Sequence, residues 1–248
     1  MGSEMCIRDR GRSEGGPAIV QAMSLDEITP VAQDYLKAIW SATEWGDAPL
    51  STKSLAARMG TTAPNVTETV KRLAAQGLVE YQPYKPVTLT GKGREHAIAM
   101  VRRHRLLESF LAATLGYSWD EVHAEAERLE HAASDELIER IDQMLGRPTR
   151  DPHGDPIPTP EGQRAQPAHA VRLDVAEPGF YRVLRISDAD PQRLVRFQQA
   201  GLVPGTVVEV TEAGHSRLRV VAVGPVELIE TDAAAIWLVP SATRGLSL

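Results

Sequence analysis

The run Ser51-Thr52-Lys53-Ser54-Leu55-Ala56-Ala57-Arg58-Met59-Gly60-Thr61-Thr62-Ala63-Pro64-Asn65-Val66-Thr67-Glu68-Thr69-Val70-Lys71-Arg72-Leu73-Ala74-Ala75-Gln76-Gly77 decides the fold. Ser51 can cap a short helix on which Leu55, Ala56 and Met59 share a face, and Gly60 ends it. After the turn Gly60-Thr61-Thr62-Ala63 a second helix starts at Pro64, turns Val66, Val70, Leu73 and Ala74 inward, and stops at Gly77. Two helices joined by a tight Gly-containing turn form a helix-turn-helix. Strands over Leu78–Gln82 and Val87–Thr90, around a turn from Pro83 to Pro86, add a hairpin wing.

Working outward, Val31, Tyr35, Leu36, Ile39 and Trp40 predict a preceding helix, capped by Thr29 with Pro30 in its first turn. Downstream, Thr90 caps a helix over about Gly91 to Leu115. Gly116 breaks it, and a further helix is expected from about Trp119 to Leu145, with a possible interruption near Ser134. Six prolines between Gly146 and Pro167 then rule out helix and read as an inter-domain linker. Beyond it, short strands over Val171–Val175, Tyr181–Ile186, Thr206–Thr211, Arg217–Val221, Val226–Ile229 and Ala235–Val239 predict a small β-barrel.

The expected class is therefore α+β and multi-domain. Residues 1–22 form a leader without hydrophobic periodicity, and Met23-Ser24-Leu25-Asp26 reads as a more natural start. A winged helix-turn-helix domain spans 23–95, a helical dimerisation and metal-binding domain 96–146, a Pro-rich linker 147–169 and an SH3-like barrel 170–243. The one cysteine, Cys6, lies in the leader, so disulfides, thiolate zinc sites and cysteine nucleophiles are not expected. No apolar run is long enough for a membrane span or a signal peptide, which predicts a cytoplasmic protein with no membrane partner.

The net charge of -6 hides a strong local asymmetry. Residues 51–95 hold seven Lys or Arg against three Glu, whereas residues 119–142 hold nine Asp or Glu against two Arg. The first stretch suits phosphates and the second suits cations. The second helix of the helix-turn-helix would enter the major groove with Thr62, Pro64, Asn65 and Glu68 toward base edges. Asn65 can bond adenine, Glu68 can accept from cytosine, and Pro64 can touch a thymine methyl. Lys53, Lys71, Arg72 and Lys85 are placed for phosphates, which position without specifying. The alternative is a winged helix used only for protein contacts.

In the acidic stretch, His123-x3-Glu127-x2-Glu130-His131 falls at spacings that share one helix face, a pattern suited to divalent-metal ligands. His104-x3-Glu108 repeats the spacing on the preceding helix, and antiparallel packing would let the two sets meet. A solvated acidic face laced with Arg128 and Arg140 is the competing reading. A zincin-like metallohydrolase needs a further His where Glu127 stands, and a metal-buffer protein would never touch DNA.

With these motifs, together with Asp34-Tyr35-Leu36, His104-Arg105-Leu106-Leu107-Glu108, Glu130-His131-Ala132-Ala133-Ser134-Asp135 and Asp151-Pro152-His153-Gly154-Asp155-Pro156-Ile157-Pro158, the chain resembles the diphtheria toxin repressor family, in particular its manganese-responsive branch. The segment Leu202-Val203-Pro204-Gly205 resembles the barrel shared with bacterial ferrous-transport accessory proteins. The resemblance implies a homodimeric, metal-dependent repressor of transcription that reads a palindromic operator and controls metal-ion homeostasis, not an enzyme. It implies a primary metal site from Asp34, Glu127, Glu130 and His131, and an ancillary site from His104, Glu108, His123 and Asp190. Iron-responsive members carry methionine and cysteine at the positions of Asp34 and Glu127. Carboxylates there favour Mn²⁺, with Fe²⁺ the alternative. Two residues depart from the pattern. Lys37 stands where short manganese regulators place another carboxylate, and Arg193 replaces an amide near Asp190, a place Gln192 could take instead.

Overall fold

The computed structural model describes residues 28–165, 167–211, 217–220, 224–228 and 230–241. The expected leader, the first residues of the winged domain, the strand ends at Val221 and Ile229 and the barrel's last two residues lie outside the described residues.

Helices α1 (Pro30–Thr43) and α2 (Thr52–Arg58) begin at the expected hydroxyl caps, and α3 (Ala63–Ala75) begins one residue before the expected Pro64, at a cap on Thr62 that was not anticipated. Thr29, Ser51 and Thr62 accept from the backbone N–H of Ala32, Ser54 and Asn65, each satisfying a donor the helix itself leaves free. The wing is shorter than expected. Strands β1 (Val79–Glu80) and β2 (Thr88–Leu89) pair Val79 with Leu89 and Glu80 with Thr88. Helix α4 (Gly91–Leu115) then packs on α1 over a core that includes Tyr35, Leu36, Trp40, Leu55, Val70, Leu73 and Val101. Gly93 is obligatory at this junction, because an added Cβ would lie 1.8 Å from the carbonyl oxygen of Leu78.

The long helix expected over Trp119–Leu145 is two helices, α5 (Val122–Leu129) and α6 (Asp135–Met144). Ser134 causes the break: its extended backbone and side chain cap α6 by accepting from Leu137 N, so the chain must leave the first helix before it. Val122, Ala126, Ala133, Ile138 and Ile141 pack with Leu106, Leu107 and Leu111 of α4. Leu115, Leu129, Leu137 and Met144 remain exposed.

The Pro-rich segment is more than a tether. Asp151 and residues 153–158 are buried, Ile157 belongs to the helical core, and Asp151 N bonds Asp155 O around a tight loop. The prolines exclude helix and sheet, but the loop can be buried because its backbone is bonded within the loop, as Asp151 N to Asp155 O, and by neighbours, as Arg105 to Pro156 O and Ile186 N to His153 O.

The C-terminal domain is a six-stranded antiparallel sheet made of β3 (Val171–Arg172), β4 (Gly179–Ile186), β5 (Val207–Val210), β6 (Arg217–Val220), β7 (Gly224–Glu227) and β8 (Ile236–Pro240), in the order β3-β8-β4-β5-β6-β7. The first expected strand stops at Arg172 and continues as a 3-10 turn, Leu173–Val175. Two helices not anticipated from the sequence, α7 (Pro191–Gln199) and α8 (Glu230–Ala233), interrupt the strands. Leu194 and Phe197 of α7 fill the sheet's core, which also receives Trp119 from the loop before α5. No helix of the described residues is long and apolar enough to cross a membrane.

Candidate metal centre and nucleic-acid interface

Three helices deliver the ligand-type side chains. Asp34 and Lys37 lie one turn apart on α1, His104 and Glu108 on α4, and His123 and Glu127 on α5. Glu130 and His131 are not on the face of a continuous helix. α5 ends at Leu129, Glu130 is its C-terminal cap, and His131 stands in the turn imposed by the Ser134 cap. That turn swings His131 toward α1.

Asp34, Glu130 and His131 offer ligand atoms within 4.8 Å of one another. His131 Nδ1 stands 2.7 Å from Gln33 Oε1, and the Gln33 amide is oriented by its own donation to Ile28 O at 3.2 Å. Nδ1 is therefore the donor, and Nε2 is the ring nitrogen that faces Asp34 Oδ1 at 3.0 Å. Asp34 Oδ1 is buried and accepts no hydrogen bond. A buried carboxylate oxygen without a donor, beside an imidazole nitrogen that can ligate once neutral, fits a divalent ion. Burial pushes the Asp34 carboxyl up, against the opposing pull of His131 and Lys37.

Glu127 and Glu130 converge on Lys37. Its Nζ lies 2.6 Å from Glu127 Oε1 and also bonds Glu130 Oε1. Burial favours the neutral amine, but Glu130 and Glu127 outweigh it and hold the ammonium above its ordinary pKa. His104, Glu127 and Glu130 form a second cluster that shares Glu130 with the first.

His104 links this region to a further group. Its Nδ1 is 2.6 Å from Glu130 Oε2 and its Nε2 2.9 Å from Glu108 Oε1. His123 Nδ1 lies 3.1 Å from Glu108 Oε1 and 2.9 Å from Asp188 Oδ2. Burial pulls His104 and His123 down, yet the carboxylates win. Glu108 and Glu130 raise His104 to about 9, and Asp188 and Glu108 raise His123 to about 11. Glu108 and Asp188 are held below the usual carboxylate range by His104 and His123 in spite of burial. Each pair of imidazolium and carboxylate satisfies charges that an ion could satisfy instead.

The carboxylate the barrel brings to this group is Asp188, not Asp190. Asp190 caps α7, its Oδ1 accepting from Gln192 N and Arg193 N, and its side chain is spent there. Gln192 is exposed, and Arg193 turns toward Asp232 of α8 at 3.3 Å, so neither joins the cluster. Asp190 followed by Pro191 is itself a helix-start signal, which could have released Asp190 from the ligand set and left Asp188.

Sequence reasoning also missed a neighbouring buried trio, Glu108, Asp151 and His153. His153 Nε2 donates to Trp119 O at 2.9 Å, and its Nδ1 has no hydrogen-bond partner, 3.8 Å from Glu108 Oε2. Burial, then Asp155 and Glu108, push the Asp151 carboxyl up to about 8.

On the winged domain, Thr62 is spent as the α3 cap, while Pro64, Asn65, Glu68, Lys71 and Arg72 project from the exposed face of α3. Asn65 Nδ2 rests on Thr61 Oγ1 at 3.2 Å. Lys53 on α2 and Lys85 on the wing are exposed beside them. These groups share one domain, and none is tied up in an ion pair among the described residues.

Comparison with known proteins matches this division of the chain. The family description "Iron dependent repressor, N-terminal DNA binding domain" fits residues 27–87, and "Iron dependent repressor, metal binding and dimerisation domain" fits residues 90–159. The "Iron-dependent repressor IdeR" of Mycobacterium tuberculosis is 33% identical over 204 residues, covering 77% of this chain and 88% of that protein. The "Diphtheria toxin repressor" of Corynebacterium glutamicum is 33% identical over 196 residues, 75% of this chain and 86% of the relative. Among solved structures, a "Manganese-dependent transcriptional repressor complex with manganese" is 49% identical with a TM-score of 0.78, covering 84% of this chain and 99% of that one. The "Structure of the manganese regulator SloR" is 34% identical with a TM-score of 0.72, covering 86% and 100%. A DNA-binding domain followed by a metal-binding and dimerisation domain is thus matched along the chain, and the chain belongs to the diphtheria toxin repressor family of metal-dependent transcriptional repressors.

Proposed function

We propose that this repressor senses Mn²⁺ in the cytoplasm, that the ion is its corepressor, and that a homodimer so loaded binds a palindromic operator. Asp34, Glu127, Glu130 and His131 would hold the primary ion, and His104, Glu108, His123 and Asp188 the ancillary one. The observation that carries the reading is the donor set: carboxylate oxygens and imidazole nitrogens with no sulfur, around a buried Asp34 oxygen that lacks a donor. Such a set suits a hard divalent ion, whereas sulfur would draw softer competitors. Iron-dependent relatives support Fe²⁺ as the second reading.

A bound ion supplies two positive charges at the junction of α1 with the turn after α5. Asp34 then binds α1 to the segment bearing Glu130 and His131, which fixes the winged domain against the helical domain. The exposed Leu115, Leu129, Leu137 and Met144 provide the apolar face for a second copy, and two fixed winged domains would present α3 at half-site spacing. The ion acts only through its preference for this arrangement over the looser one.

The test is Mn²⁺-titrated operator binding by wild type and Glu127→Ala. Loss of the metal response in the variant is expected, and wild-type affinity at every Mn²⁺ level would remove the corepressor reading. Anomalous scattering at the manganese and iron edges, from crystals grown with both ions, separates Mn²⁺ from Fe²⁺.

A further inference from the structure

The barrel meets the winged domain at a cationic wedge that the ion-binding clusters do not use. Arg185, on β4 and 7% exposed, lays its guanidinium against two indole rings. Its Cζ is 4.8 Å from the ring centroid of Trp45, which follows α1, and 4.4 Å from that of Trp237, on β8. The two rings also touch, with centroids 5.7 Å apart and planes at 50°. Arg185 Nε bonds Asp155 Oδ2 at 3.0 Å, and Asp155 Oδ1 accepts from Trp45 Nε1 at 2.9 Å. Winged domain, buried loop and barrel are thereby joined in one closed circuit of contacts.

The Arg185–Asp155 bond in that circuit is buried, and the contacts of Trp45 and Trp237 are half-buried. A guanidinium is suited to it, because its planar faces stack on indoles while its edge donates to a carboxylate. Three residues further on, Asp188 reaches His123 at 2.9 Å. The intervening backbone is pinned, Ile186 N to His153 O and Ser187 N to Ala235 O. The direction in which Asp188 points therefore follows how the end of β4, which carries Arg185, is seated on the buried loop and on the residue before β8.

We propose that Arg185 is a positioning residue, an ion-independent clasp that docks the barrel on the end of α1 and so delivers Asp188 to the His104, Glu108 and His123 cluster. Through Trp45 the same clasp ties the barrel to the helix that carries Asp34. The barrel is then a fixed part of the apparatus that orients the winged domain.

The test uses full-length Arg185→Met and Trp45→Ala. Trp45 lies outside the barrel core, so its loss probes the clasp without threatening the barrel's folding. In ion-free protein, small-angle scattering should show the radius of gyration of both variants rising by more than about 2 Å, as a released barrel moves away from a compact particle. In Mn²⁺ titrations, both should lose at least about tenfold in affinity at the step that Asp188→Ala removes, a loss typical of groups that orient a ligand. Asp188→Ala itself should keep the wild-type radius. The titration rests on the proposed ancillary site. Wild type binding only one ion per protomer would withdraw that site, while scattering would still decide the clasp. An unchanged radius in both variants overturns the proposal, and so does full Mn²⁺ affinity in a chain whose barrel has come loose.

Discussion

Lys37 Nζ stands 2.6 Å from Glu127 Oε1 and also bonds Glu130 Oε1, so an ammonium ion lies between two carboxylates of the proposed primary site. Glu130 is fully buried and could not remain ionised there without positive neighbours. Lys37 and His104 supply them when no metal ion does, which makes Lys37 a stabiliser of the ion-free state and a competitor of the ion.

Lys37→Met should therefore destabilise the ion-free protein, by on the order of 3 kcal/mol if the carboxylates stay charged. It should also widen the gap between melting temperatures with and without Mn²⁺, since the ion would then neutralise what Lys37 neutralised before. Thermal unfolding with a chelator and with Mn²⁺ measures both effects. An equal shift in the two conditions would mean that Lys37 is not in competition with the ion.

The histidines set a pH dependence with a definite sign. His104 rises from 6.5 to about 9 and His123 from 6.5 to about 11, because the carboxylates around them outweigh burial. Between pH 6.5 and about 9 the ion-free folded protein holds protons that the unfolded chain has released, so its stability should fall as pH rises through that window. Ligation needs neutral imidazole, so Mn²⁺ affinity should climb over the same window and protons should be released on binding. Calorimetric titration in buffers of different ionisation enthalpy counts them. No proton release at pH 7 would exclude His104 and His123 from the ligand set.

Gly154 makes the packing of the Pro-rich loop on the barrel testable. Its φ is +90°, and a Cβ there would stand 2.1 Å from the carbonyl oxygen of Leu184, which is backbone and cannot turn away. Gly154→Ala should cost about 2 kcal/mol or more from the left-handed backbone and the clash together, and it should push loop and β4 apart. Denaturant unfolding reads the cost, and a variant as stable as wild type would mean that the loop does not rest on β4.

How much of this was legible in the sequence varied with the kind of signal. The helix-turn-helix was readable because Ser51, Gly60, Pro64 and Gly77 act locally, each fixing the backbone where it stands. The grouping of the ligand-type residues on α4 and α5 was readable for the same reason, through i,i+4 spacing. The kink that carries His131 to Asp34 was signalled by Ser134, where an interruption was expected, but the direction in which it turns His131 was not readable from the sequence. Asp190 entered the expected set through the family resemblance; its place before Pro191 argued for releasing it, but that Asp188 takes its place depends on how the barrel docks, through contacts such as those of Arg185, Trp45 and Asp155 from three distant segments. The burial of residues 153–158 was hidden likewise, since proline content reports what a segment cannot form and not what covers it.

The exposed face of α3 separates positioning from reading. Arg72 and Lys71 are exposed and suited to neutralising phosphates, so Arg72→Ala should weaken binding to all DNA alike and reduce the slope of log K against log salt by about 0.9 for each phosphate left without its cation. Asn65 is different. Its amide needs only to leave Thr61 to present donor and acceptor to an adenine edge. Asn65→Ala should leave the salt slope unchanged and cut discrimination at one base pair of each half-site by about 1–3 kcal/mol. Salt-dependent binding to the operator and to single-base variants distinguishes the two. A uniform loss across all sequences on changing Asn65 would assign it to the phosphate backbone instead, and discrimination would then have to come from Glu68 or Pro64.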